Sequence, residues 1–316
     1  MDAPAVLLPH HVDREIAHEF AAVLDPAIAG DVIVAETPEE SLEAVRTVEA
    51  MATWGVADEW LDVAENLRWV QALSAGVDSY DHETLRERDI VLTNASGTHA
   101  EPIAEQVLGY MLTFERNLHQ SARNQARGVW ERVAGGELRG KTVGIVGVGA
   151  IGTRTAELAG AFGMEVLGTK RNLDDAPAAL DEVYPPDELD ELLRRVDYLV
   201  LACPLTDETE GLIGTPEFKL LSSDAVVVNI ARGDVIDEEA LIRALQRGRI
   251  GGAALDVFSE EPLPSESPLW NLSNVLITPH MAGSTPHKNG RWRDIIVENY
   301  EAFVADELDA MINRII

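Results

Sequence analysis

The chain has 316 residues, 46% of them hydrophobic, and a formal net charge of −30, with 55 Asp and Glu against 25 Lys and Arg. That length allows two domains with their own cores, and no apolar run approaches the ~20 residues of a membrane-spanning helix. So negative a surface repels nucleic acid and anionic membranes, so neither is expected as a partner.

Lys141, Lys170, Lys219 and Lys288 are the only lysines, and an acid excess with so little lysine resembles the proteins of cells that accumulate salt. Cys203 is the sole cysteine, which excludes an intramolecular disulfide and a cysteine-based metal knuckle. The N-terminal stretch MDAPAVLLPHHVDREIAHEF has neither a basic n-region nor a small-residue cleavage site, so the expected location is the cytoplasm. His10, His11 and His18 invite a metal reading, but no further ligand spacing supports it, and no metal is expected.

Along the chain, Ala5 to Leu8, Asp31 to Ala35, Ala50 to Trp54, Leu67 to Leu73 and Ile90 to Asn94 read as strands. The segments between them, such as Pro38 to Glu49, carry apolar residues at helical spacing behind acidic starts. This βαβ rhythm predicts a mostly parallel sheet with helices on both faces. One helical pattern runs from about His99 to Asn124. A second rhythm starts near Lys141 with KTVGIVGV as a strand, TRTAELAGAFG as a helix and MEVLGT as a strand. YLVLACP, AVVVNIA, GGAALDVF and NVLITPH continue as strands. Only 36 residues follow His280, too few for a third domain, so the tail is expected to return to the first. The expected domains are 1–97 with 285–316, and 98–284.

Within VGIVGVGAIG, Gly147, Gly149 and Gly152 form G-x-G-x-x-G between a strand and a helix that opens at Ala150 and Ile151. The first glycine makes a tight turn, the second admits a pyrophosphate to the backbone, and the third lets helix and strand approach. The helix N-terminus offers free N–H groups and the positive end of its dipole to the phosphates. Lys170 lies 21 residues beyond Gly149, where an NAD-binding fold places the acid that accepts from the adenosine ribose hydroxyls. That acid is replaced by Lys170 and Arg171, which would attract the 2′-phosphate of NADP. The expected cofactor is therefore NADP, with NAD still usable.

GVGAIG, QALSAGVDSYD, VVNIARGDVIDEEAL, GGAALDVFSEEPLPSESPLW and NVLITPHMAGST occur in one order over nearly the whole chain. Together they resemble the D-isomer-specific 2-hydroxyacid dehydrogenases, and the acidic composition suggests a haloarchaeal member. The resemblance implies a catalytic trio of Arg232, Glu261 and His280. In reduction of a 2-keto acid, His280 would donate a proton to the carbonyl oxygen. Glu261 would hold the other ring nitrogen and favour the imidazolium. Arg232 would bind the substrate carboxylate and polarise the carbonyl.

By the same resemblance, Ser74, Ala75 and Gly76 begin the substrate loop that ends at Val77 and Asp78, with small residues that let backbone N–H groups face a carboxylate. Asp256 would contact the nicotinamide carboxamide, and Cys203 and Pro204 would stand at the strand end beside the cofactor. Thr209, Ile230, Ala231 and Gly283 complete the expected cofactor contacts, and Thr98 would approach the nicotinamide. Trp54, Leu73, Met281 and Trp292 are the side chains expected to set the substrate pocket.

The implied architecture is a flavodoxin-like substrate domain and a Rossmann-type cofactor domain, with the active site in the cleft between them and a homodimer as the assembly. The implied activity is reversible reduction of a 2-keto acid to the D-2-hydroxy acid. Narrower alternatives are a glyoxylate/hydroxypyruvate reductase and a phosphoglycerate dehydrogenase, though the latter often carries a regulatory domain for which this chain has no room. A formate dehydrogenase is disfavoured, since that branch has glutamine where Glu261 stands. A non-enzymatic alternative is a cofactor-sensing protein like the transcriptional corepressors built on this fold.

Overall fold

The computed structural model describes residues 3–77 and 79–316; Met1, Asp2 and Asp78, the last residue of the expected substrate loop, lie outside the described residues. The chain divides into two compact units, residues 1–99 with 285–316, and residues 100–284. Among the described residues no helix is long and apolar enough to cross a membrane.

The first unit is built on a parallel five-stranded sheet of β1 (Val6–Leu8), β2 (Val32–Val34), β3 (Ala50–Thr53), β4 (Trp69–Ala72) and β5 (Val91–Thr93), in the order β2-β1-β3-β4-β5. Strands β1, β3, β4 and β5 are buried on both faces, as a sheet covered twice by helices requires, while the edge strand β2 is half-buried. Val6 and Leu8 join one core with Phe20, Trp69 and Trp292, while Leu7 between them joins the other with Met51, Trp60 and Val70. The C-terminal helix Lys288–Val304 buries Trp292, Ile296, Tyr300 and Phe303, three to four residues apart, on the stripe that faces the sheet. Truncating one of those aromatics to alanine costs about 3–5 kcal/mol. Asn299 adds a polar tie, donating to Gln71 Oε1 at 3.2 Å while its own Oδ1 accepts the Ile312 N–H at 2.8 Å.

The second unit holds a parallel seven-stranded sheet of β6 (Thr142–Val146), β7 (Glu165–Thr169), β8 (Glu182–Tyr184), β9 (Tyr198–Leu201), β10 (Val226–Asn229), β11 (Gly252–Leu255) and β12 (Val275–Ile277). The order β12-β11-β10-β9-β6-β7-β8 reverses direction at β6. In β9, Tyr198 and Val200 enter one core and Leu199 and Leu201 the other. Ligands of such sheets bind outside the carboxyl ends of the strands where the order reverses, which here is between β6 and β9.

Three expectations need correction. The segment from His99 to Asn124 is two helices, Ala100–Glu115 and Leu118–Ala126. They part at Asn117, whose φ of 51° is left-handed and whose side chain donates to the Ala134 carbonyl at 2.5 Å. Asn tolerates this conformation better than most residues because its short amide bonds locally. Strand β8 is an addition: Glu182-Val183-Tyr184 holds only two apolar residues, between acids and the Pro185-Pro186 pair, so no apolar run marks it. Trp292 (1% exposed) and Leu73 (0%) are core residues, so neither lines a substrate pocket. Trp54 is half-buried and meets Trp292 edge-on, with ring centroids 5.3 Å apart.

Candidate active site

The glycine loop follows β6, and two of its glycines are required by close contacts. Gly147 has φ +92°, and a Cβ there would lie 2.5 Å from Cys203 Cα, so the turn and the neighbouring strand end both exclude a side chain. A Cβ on Gly152 would lie 2.5 Å from the Gly147 carbonyl oxygen. Beside Gly149 there is open space, with no atom within 4 Å of such a Cβ. Gly149 caps the twelve-residue helix Ala150–Ala161, whose first-turn N–H groups have no side-chain cap. Such a helix start is a ready site for a phosphate.

A cavity of about 570 Å³ opens in front of this loop. Gly147, Gly149, Lys170, Arg171, Cys203, Pro204 and Thr209 line it, and so do Asn172, Asp175, Pro186, Leu189, Thr206 and Glu208. Lys170 Nζ donates to the Val148 carbonyl at 3.0 Å and stands 3.3 Å from Asp175 Oδ2. Burial pushes the Cys203 thiol up to about 11. The space, the free helix start and the cations suit a dinucleotide. Ala150 and Ile151 lie in the first turn of the helix, while Ile230 and Ala231 are buried beyond β10.

Arg232, Glu261 and His280 follow β10, β11 and β12, so all three leave the carboxyl edge of the sheet that carries the glycine loop. Glu261 Oε2 lies 2.7 Å from His280 Nδ1, and Glu261 Oε1 accepts the Phe258 N–H at 2.9 Å. Arg232 is held beside this segment by its neighbour: a Cβ on Gly233 would lie 1.9 Å from the Phe258 carbonyl carbon, so only glycine lets the two loops touch. The Arg232 guanidinium donates to the Ala231 carbonyl at 2.7 Å.

His280 itself has φ +48°, a left-handed conformation that costs a residue bearing a Cβ roughly 1–2 kcal/mol. Its backbone N–H donates to the Asp256 carbonyl at 2.8 Å. The Asp256 carboxylate accepts the N–H groups of Met281 at 3.0 Å and Ala282 at 2.9 Å, and the Thr278 hydroxyl as well. Tyr110 donates to or accepts from Thr278. Asp256 is 2% exposed, and its carboxylate holds the 278–282 segment. Thr278 and Tyr110 escaped the sequence reading because a hydrogen bond across 168 residues leaves no local pattern.

In the first unit, Ser74 donates through Oγ to the Gly76 carbonyl at 2.6 Å, and Asn94 donates to the Ala75 carbonyl at 2.6 Å. Both bonds engage carbonyls, and among the described residues the N–H groups of Ser74, Ala75 and Gly76 meet no acceptor. Among the described residues the Thr98 hydroxyl is buried without a partner, and Arg291 donates to the Thr98 carbonyl at 3.1 Å. His10, His11 and His18 belong to this unit, and no group of three or more His, Cys, Asp or Glu gathers to hold a metal among the described residues.

A doubly wound sheet with a glycine loop at its switch point, and a histidine–carboxylate pair on the same edge, defines a dinucleotide-binding α/β protein equipped for proton transfer. Residues 108–282 match the family described as D-isomer specific 2-hydroxyacid dehydrogenase, NAD binding domain. Over 305 residues the chain is 33% identical to a glyoxylate reductase of Thermofilum pendens, covering 90% of this chain and 88% of that one. It is 37% identical over 297 residues to D-3-phosphoglycerate dehydrogenase of Methanocaldococcus jannaschii, covering 92% of this chain but only 56% of the relative. Among solved structures, a D-isomer specific 2-hydroxyacid dehydrogenase from Xanthobacter autotrophicus in complex with NADPH superposes with a TM-score of 0.87 at 30% identity, covering 100% and 98% of the two chains. An NADPH-dependent glyoxylate/hydroxypyruvate reductase from Sinorhizobium meliloti superposes with a TM-score of 0.85 at 26% identity, covering 99% and 98%. The chain belongs to the D-isomer-specific 2-hydroxyacid dehydrogenase family.

Proposed function

We propose that the protein reduces a small 2-keto acid to the D-2-hydroxy acid with NADPH in preference to NADH, and catalyses the reverse oxidation, with His280 as the proton donor. The observation that carries this reading is the 2.7 Å contact between Glu261 and His280 Nδ1. It leaves Nε2 as the nitrogen that can serve a substrate, and the His280 side chain is 56% exposed. Bound nicotinamide supplies the hydride. His280 then delivers the proton that neutralises the carbonyl oxygen, Glu261 orients the ring and offsets its positive charge, and Arg232 pairs with the substrate carboxylate. Among the described residues the N–H groups of Ser74, Ala75 and Gly76 meet no acceptor, which gives the first unit an anion-binding turn suited to a carboxylate. Trp54 supplies an apolar surface in that unit.

Lys170 and Arg171 in the wall of the cavity support the preference for the phosphorylated cofactor. The names of the relatives favour glyoxylate or hydroxypyruvate over a bulkier acid. The acid excess supports a protein from a salt-accumulating archaeon. Trp130, 98% exposed, with Val129 and Leu118, presents apolar surface on the second unit that supports a homodimer formed through the cofactor domains.

The test is a panel of small 2-keto acids with NADPH and NADH in molar KCl, with the product resolved on a chiral column. Turnover of glyoxylate and hydroxypyruvate, and D-configured product from any chiral acid, are expected. Cofactor binding with no turnover of any acid would replace the enzyme reading with that of a cofactor-sensing protein.

A further inference from the structure

Lys170 already has an anion of its own. The Asp175 carboxylate stands 3.3 Å from its ammonium, and the side chains are 20% and 75% exposed for Lys170 and Asp175 respectively. Both line the nucleotide cavity, together with Arg171 and a second acid, Glu208. Glu208 is held below the ordinary carboxylate range, first by the Thr206 hydroxyl and to a lesser degree by the charge of Arg171. Two cations facing two carboxylates lack the net positive charge that an unopposed Lys-Arg pair would offer a phosphate.

Resting on the reading that Lys170 meets the adenosine 2′ substituent, we propose that Asp175 competes with the 2′-phosphate of NADP for the Lys170 ammonium and so sets how strongly the site favours the phosphorylated cofactor. A carboxylate oxygen at 3.3 Å supplies the charge that a phosphate oxygen would bring, and two anions cannot share one ammonium without repelling each other. Asp175 is mostly solvated, so giving up its ion pair is a small loss, and its side chain is free to turn to water when the phosphate enters. An unphosphorylated ribose has no charge with which to displace it. Asp175 is therefore a brake on NADP binding that NAD does not feel.

The experiment measures dissociation constants of adenosine 2′,5′-bisphosphate and 5′-AMP by titration calorimetry on the full chain at fixed salt. Asp175→Asn should tighten the bisphosphate about two- to fivefold, the equivalent of ~0.4–1 kcal/mol, and leave 5′-AMP nearly unchanged. Asp175→Glu, which keeps the charge, should restore a ratio close to that of the parent. Asp174→Asn changes net charge equally without touching the Lys170 pair, and should have the smaller effect. An unmoved or weakened bisphosphate in Asp175→Asn, or an equal gain in Asp174→Asn, overturns the proposal. Lys170→Gln separates the two levels. If it fails to weaken the bisphosphate relative to 5′-AMP, the cofactor reading falls and the competition with it. If it weakens the bisphosphate while Asp175→Asn does nothing, the cofactor reading stands and the competition is wrong.

Discussion

Glu261 holds His280 with one carboxylate oxygen, 2.7 Å from Nδ1, and its own loop with the other, 2.9 Å from the Phe258 N–H. The carboxylate cannot swing away from the imidazole without breaking the second bond, so the ring is presented in one orientation. Both contacts are charge-assisted when Glu261 is ionised.

From this pair follows a pH signature. Reduction needs His280 protonated and oxidation needs it neutral, so the two directions should have displaced pH profiles. Glu261→Gln keeps the shape but removes the charge beside the ring, and should lower turnover in reduction. NADPH binding should stay nearly intact. His280→Ala should lose roughly 10²–10⁴-fold in turnover. Steady-state profiles in both directions check this, and near-normal turnover in His280→Ala would remove it as the donor.

Cofactor choice is tested from the Lys170 side by kinetics. The parent enzyme should show a lower KM for NADPH than for NADH. Lys170→Asp should shift the ratio of kcat/KM values toward NADH by roughly 1.5–3 kcal/mol, the range of a hydrogen bond to a charged group. An unchanged ratio would show that the cavity binds the cofactor in another register.

With a formal charge of −30, self-repulsion should destabilise the fold in dilute buffer and relax when cations screen it. Thermal unfolding in 0.1 M and in 3 M KCl should give the higher Tm at high salt. The opposite order would remove the argument for a salt-adapted protein.

Cys203 is 7% exposed, and burial pushes its thiol up to about 11. The thiolate is the reactive form, so at pH 8 the native protein should resist iodoacetamide, while chain unfolded in guanidinium should be alkylated promptly. As the sole cysteine, it gives a one-site readout by mass spectrometry. Rapid labelling of the native protein would show that the wall around β9 opens.

His11 lies flat against Trp60, with ring centroids 4.9 Å apart and planes at 6°, and bonds Thr53 Oγ1 at 2.6 Å. Burial first, and the neighbouring His10 second, lower its pKa from 6.5. The unfolded chain therefore takes up this proton before the folded one does, so stability is lost as pH falls below about 6.5. Urea midpoints should drop between pH 7.5 and 5.5, and His11→Gln should lose less over that interval. An equal loss in the variant would assign the effect to other groups.

The features legible in the sequence are those that repeat within one element or sit on one turn. The unbroken apolar run Tyr198-Leu199-Val200-Leu201 reports a strand buried on both faces because side chains point to opposite sides at every step. The spacing of Gly147, Gly149 and Gly152 reports a turn in which a Cβ has no room or must leave room, and the motifs around Arg232, Glu261 and His280 follow strands whose carboxyl ends share one edge. Only the tertiary structure decided which groups meet across long separations. It placed Trp292 in the core, turned the Asp256 carboxylate onto the 278–282 segment, broke the long helix at Asn117 and set Asp175 against Lys170. None of these has a periodic trace, because a contact between segments depends on where loops return the chain, whereas periodicity records only which face of a single element is hidden from water.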